Sequence, residues 1–200
     1  MMDFDSLLER SITIHGHLCP GQVLGVKMAM LGMEQIGLHV PEAGKREKRV
    51  IVYVEMDRCA TDAIQTVTGC SLGHRTMKFY DYGKMAATFV NLETKRAIRI
   101  IAREDLRDKA KGLFPEITDS YTAQTHAYKA MSSEELFDVM PVRVDIPLAD
   151  MPGRPLKRIS CSRCGEYVQD MRDVCRNGEV LCKACDNGAY YVKIEKTGII

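Results

Sequence analysis

The 200-residue chain balances 28 Lys and Arg against 27 Asp and Glu, and its net charge of +1 gives no global electrostatic case for nucleic acid. Its first residues, Met-Met-Asp-Phe-Asp-Ser, lack the basic and apolar regions of a signal peptide, and no apolar run is long enough to span a bilayer. A cytoplasmic protein without membrane contact is expected, in which eight cysteines serve as ligands, nucleophiles or small core residues rather than as a disulfide framework.

In chain order, apolar spacing over residues 4–14 suits a short amphipathic helix. A longer helix over 20–38 follows, with Pro20 fitted to its first turn and Gly37 to its end. Val23, Leu24, Val26, Met30, Leu31 and Met33 cover more than one of its faces, which predicts a central helix. Met28, Met30 and Met33 read as core filling. The basic run at 44–49 reads as a solvated loop, and the β-rich run at 50–56 as a strand. Asp57 can cap a helix running to about Thr68, with Gly69 closing it. Residues 84–90 and 95–102 favour two strands of a hairpin, followed by helices at 104–111 and 118–131. Ser132-Ser-Glu-Glu135 is a capping box that opens one more short helix, and 142–146 returns to strand. Strands interspersed with helices predict an α+β core with a mostly antiparallel sheet.

Residues 147–155 carry three prolines and a glycine, which resist regular structure. The expected organisation is a core domain at 1–146, a linker at 147–157 and a small domain at 158–200. In that last domain, Cys161-Ser-Arg-Cys164 and Cys182-Lys-Ala-Cys185 present four thiols from two tight loops, the layout of a structural zinc ribbon. Disulfides or a redox pair are the alternatives, but doubled CxxC spacing without secretory features favours metal. Asn177-Gly178 marks a hairpin turn between the knuckles, and Cys175 is a spare, partly exposed thiol.

In the core, His15-Gly-His-Leu-Cys-Pro-Gly21 concentrates two imidazoles and a thiol at a helix entry. Helix N-termini favour thiolate and bind anions, which makes Cys19, and Cys59 at the start of the next helix, candidate thiolates. His17, Cys19 and Cys59 are the expected catalytic or metal-binding set, with Cys70 and His74 at its rim. They would hold a second transition metal besides the ribbon zinc. Buried core cysteines are the plain alternative, above all for Cys70. His39 and His126 read as ordinary polar residues.

The segments His15–Gly25, Asp57–Gln65, Thr68–Gly73 and Asp81–Lys84, taken in this order, resemble the FmdE family of formylmethanofuran dehydrogenase. The resemblance covers about residues 8–145, and the ribbon is similar to one that many members carry. Where many members have a lysine after Thr-Gly-Cys-x-x-Gly, this chain has His74 and Arg75. The resemblance implies a cleft formed by the motif residues, a homodimer, and association with molybdenum- or tungsten-dependent one-carbon redox metabolism as an oxidoreductase or a subunit of one. A second expectation is a non-catalytic metal- or cofactor-binding accessory or sensor that docks a protein partner through the ribbon. Nucleic-acid binding by Arg154, Lys157, Arg158 and Arg163 is the weakest, since Tyr167, Tyr190 and Tyr191 are as easily core residues.

Overall fold

A computed structural model describes residues 3–42 and 44–194, and the chain divides into two compact units, Met1–Asp145 and Ile146–Ile200. The first unit is α+β. Two helices open it, α1 (Phe4–His15) and α2 (Pro20–Gln35), followed by β1 (Val50–Val54), α3 (Cys59–Thr68) and β2 (Met77–Phe79). The hairpin β3 (Ala86–Asn91) and β4 (Ala97–Ala102) comes next. Helices α4 (Leu106–Leu113), α5 (Ser120–Ala130) and α6 (Ser133–Leu136) then lead into β5 (Phe137–Val142). The five strands form one sheet in the order β2-β1-β3-β4-β5, antiparallel except for the β1–β2 pair.

Local chemistry accounts for the element ends. Asp3 caps α1 by accepting the Ser6 N–H at 2.9 Å, and Gly16 ends it at φ 97°. The capping box at Ser132 forms as expected: the hydroxyl accepts from Glu135 N–H while the Glu135 carboxylate accepts from Ser132 N–H. Two expectations shift. The N-cap of α3 is Arg58 rather than Asp57, and the Thr61 hydroxyl donates instead to Met56 O at 2.7 Å. The last strand runs through 137–142, earlier than 142–146, because the capping box ends its helix after one turn and Phe137 follows directly in extended backbone.

Helix α2 packs on α1, α3 and α5 and on the β3–β4 face of the sheet. Val23, Val26, Met28 and Met33 are fully buried in this way. Its all-round apolar surface is therefore covered within one chain. The sheet buries Val52, Phe89 and Ile100 beneath the helices, and Asn91 ties it to α2 by donating to Ile36 O at 3.0 Å. Near the far end of the sheet, Arg99 holds the buried Glu55 with two 2.7 Å bonds.

In the second unit a 3-10 turn, η1 (Leu148–Asp150), lies within the proline-rich stretch, and Arg172 pairs with Asp150. Two hairpins follow, β6 (Arg158–Ser160) with β7 (Tyr167–Gln169) and β8 (Val174–Arg176) with β9 (Glu179–Leu181), then the short helix α7 (Lys183–Asn187). Asn177 and Gly178 take φ 49° and 82°, which a two-residue hairpin turn of this hand requires. Tyr167, Tyr190 and Tyr191 are exposed rather than core, and the Arg158 guanidinium lies 4.1 Å from the Tyr167 ring centre. Among the described residues, no helix is long and apolar enough to cross a membrane.

Candidate metal centres and their cavity

Cys19 and Cys59 meet because α2 and α3 touch through glycine. A Cβ on Gly25 would lie 2.6 Å from both Ala60 O and Ala63 Cβ, so only hydrogen fits there. One turn earlier, a Cβ on Gly21 would lie 3.0 Å from Cys59 Cβ and 3.7 Å from Cys19 Sγ. The close approach thus sets the two thiols side by side at the N-termini of both helices. Cys19 is the N-cap of α2, its sulfur accepting the Gln22 N–H at 3.3 Å, and Cys59 is the first residue of α3. Gln22, fully buried, links all three N-terminal helices. Its Nε2 donates to Cys59 O at 2.6 Å and its Oε1 accepts from the Ser11 hydroxyl of α1.

The end of α1 adds two imidazoles. Donor atoms of His15, His17 and Cys19 all lie within 4.8 Å of one another, and the two rings are 4.6 Å apart between centres. His15 Nδ1–H donates to the Asp62 carboxylate of α3 at 2.8 Å, which leaves Nε2 buried and without a partner. A buried polar nitrogen left unpaired costs on the order of 1–3 kcal/mol. A cation at that point would supply the missing partner, and the thiol and second imidazole beside it are suitable ligands, so the residues fit a metal ion. Cys59 lies next to this cluster without being a member of it.

The electrostatics differ from the expectation for Cys59. Burial pushes its thiol up, and the hydrogen bond and charge of the Cys19 thiol push the same way, outweighing the helix N-terminus. Two adjacent thiols compete for one negative charge unless a cation joins them. Tyr121 of α5 closes the group: its hydroxyl donates to Leu18 O at 3.4 Å, and burial followed by the nearby Cys19 pushes its phenol up.

Beside the thiols opens a cavity of about 620 Å³. One wall is α5, whose Tyr121, Gln124 and Tyr128 fall on one helix face at successive turns. The other expected residues go elsewhere. Cys70 is fully buried, its thiol 3.9 Å from Val50 O and raised by burial, because Gly69 at φ 70° and the Thr68 hydroxyl, which accepts the Cys70 N–H, turn it into the core. His74 is exposed and bonds the Ser71 hydroxyl at 2.8 Å. Neither lines this cavity. The fold thus joins His17 and Cys59 to Cys19 and leaves Cys70 and His74 apart. His15 and Asp62 are additions: the His-x-His-x-Cys spacing carried a signal for the first, whereas nothing local linked Asp62 to it.

In the second unit the sulfurs of Cys161, Cys164, Cys182 and Cys185 lie within 4.8 Å of one another. Backbone N–H groups of Cys164 and Cys182 hold the Cys161 thiol down at about 6, while the Cys182 thiol and burial push Cys185 up to about 12. Four sulfurs so placed, two from each CxxC turn, fit a tetrahedral site for a metal such as zinc. Cys175 on β8 is exposed and outside the cluster.

The first unit is thus an α+β domain with a Cys/His metal-ligand set beside a cavity, and the second carries a four-cysteine cluster that fits a zinc ribbon. The chain belongs to the FmdE family, described as FmdE, molybdenum formylmethanofuran dehydrogenase operon, whose model matches residues 14–143. The crystal structure of an FmdE-like protein of tungsten formylmethanofuran dehydrogenase from Syntrophus aciditrophicus has the same fold, with a TM-score of 0.63 at 16% identity over 96% of each chain. A probable S-adenosyl-L-methionine-binding protein of Archaeoglobus fulgidus is 30% identical over 97% of this chain. This chain spans 56% of the length of that curated relative.

Proposed function

We propose that the first unit is a metal-dependent module of the formylmethanofuran dehydrogenase type, a one-carbon oxidoreductase or a subunit of one, acting through a transition metal on His15, His17, Cys19 and Cys59. The observation that carries this is the buried, unpartnered His15 Nε2 within reach of His17 and Cys19. A metal bound there supplies Lewis-acid or redox chemistry through whatever coordination position the protein leaves open. The chain's own residues hold and shield the centre. Asp62 orients His15, Gln22 fixes the spacing of the two cysteine backbones, and Tyr121 covers Cys19. The second unit holds its zinc for folding, because four thiols leave no open position.

A cytoplasmic homodimer and a domain boundary near residue 146 complete the reading; the dimer rests on family resemblance alone, since α2 is already covered within one chain. The test is metal analysis of the purified full chain beside Cys19→Ser and Cys59→Ser. Two metal equivalents falling to one in both variants, with folding intact, are expected. One equivalent in the wild type, retained in both, would refute the core centre.

A second reading is S-adenosyl-L-methionine binding without catalysis, with the ribbon docking a protein partner. It is favoured by the name of the Archaeoglobus relative together with a cavity of ligand size. Calorimetric titration with S-adenosyl-L-methionine decides it, saturable binding at the cavity supporting it and no heat refuting it.

A further inference from the structure

We infer that the cavity beside Cys19 and Cys59 is a receptor for a small organic anion, a carboxylate or phosphate borne on an apolar or aromatic body. Four cationic side chains line it, Arg58, Lys84, Arg103 and Arg107, against a single acid, Glu104. They come from separate places: the N-cap of α3, the loop before β3, the turn after β4, and α4. Arg103 is partly engaged, 3.4 Å from Asp138 and 3.9 Å from Asp105. Among the described residues, Arg58, Lys84 and Arg107 have no ion-pair partner. Structural surface cations are commonly matched by a nearby acid, as Lys109 is by Asp105 and Arg49 by Glu47 in this chain. Three unmatched cations facing one concavity focus a positive potential into it.

The rest of the lining says what the anion is attached to. Leu24, Met56, Met85 and Leu106 give an apolar floor, and the Tyr121 and Tyr128 rings stand on one face of α5. A volume of about 620 Å³ lies within the range of cavities that enclose a small organic molecule. Such a ligand sets its apolar body on the floor and its charge among the guanidinium groups, with the thiol pair at the wall beside Pro20 and Gly21. Arginine suits this task, since its planar fork bonds carboxylate and phosphate oxygens in pairs. The inference goes beyond the metal reading, because none of these cations is a proposed ligand of the metal.

The test is calorimetric titration of the full chain with phenyl phosphate, benzoate and the neutral benzamide. It is run on the wild type, Arg58→Gln/Arg107→Gln, Lys84→Gln and Cys19→Ser. One or both anions should bind about tenfold or more tightly than benzamide, whichever of the two is preferred identifying the anion chemistry, and should weaken as salt rises. The double variant should lose about tenfold for the anions and little for benzamide, and Cys19→Ser should keep the preference. Absence of anion binding, or equal affinity for benzamide, overturns the inference. So does anion binding that disappears in Cys19→Ser and is unchanged in Arg58→Gln/Arg107→Gln, which would mean that the metal centre holds the anion. The metal reading stands or falls separately, on metal equivalents measured in the same preparations.

Discussion

His15 of α1 and Asp62 of α3, 47 residues apart in sequence, are joined by a 2.8 Å hydrogen bond from the imidazole Nδ1–H to the carboxylate. A carboxylate on one ring nitrogen fixes the tautomer and aims the other, here the buried Nε2, as a ligand of raised basicity. Asp62→Asn keeps the size and removes the charge. Its expected effect is a 10- to 100-fold fall in affinity for the core metal, read by competition with a coloured chelator, with ribbon zinc unchanged. Equal core affinity in the variant would show that the pair only ties α1 to α3.

Gly25 and Gly32 are where α2 meets its neighbours without side chains. A methyl group on Gly25 collides with Ala60 and Ala63, and one on Gly32 with the Phe89 ring. Overpacking of this kind costs about 1–3 kcal/mol, so both alanine variants should unfold at lower urea. Their consequences separate at the site. Gly25→Ala forces α3 away from α2 and should also reduce core metal content, whereas Gly32→Ala, at the opposite end of α2, should lose stability alone.

Most elements of the first unit follow from local signals: the caps at Ser132 and Gly69, the Pro20 start of α2, and the run of β-branched residues at β1. The misses share a cause. β2 (Met77–Phe79) has three residues and exists because it pairs in parallel with β1, a tertiary contact with no periodicity of its own. The Cys19–Cys59 pairing could be expected from two helix starts, but its mechanism, the glycine face of α2 against α3, appears only in three dimensions. For Cys70 the motif position suggested chemistry, whereas one left-handed residue at Gly69 sends the thiol into the core. Asp62 stands on an ordinary amphipathic helix, and its role depends wholly on where α1 ends.

Removal of metal should affect the two units differently. The second unit has few buried apolar side chains, among them Leu181, and its two hairpins are three residues per strand, so a metal on the four cysteines supplies much of its folding free energy. A strong chelator should abolish dispersed amide signals from 158–188 and leave those of the five-stranded sheet in place. Retention of the ribbon signals in metal-free, reduced protein would refute a structural zinc there.

The pH dependence of the cavity wall should follow the cap of α5. Asp119 accepts from Thr122 N–H at 2.8 Å and from its hydroxyl at 2.6 Å, and these bonds hold its carboxyl below the ordinary carboxylate value. A carboxyl lowered on folding stabilises the folded state above its unfolded value, near 3.8, and that contribution is lost as pH falls through the lower, folded value. Acidification below about pH 4 should therefore fray the first turn of α5, where Tyr121 stands over Leu18 and Cys19. Asp119→Ala should reproduce that state at neutral pH. Amide exchange of Tyr121 to Gln124 should quicken in the variant while Tyr128, one turn further on, keeps its protection. Unchanged exchange at Tyr121 in both the acid and the variant samples would show that cavity contacts, not the cap, hold this turn.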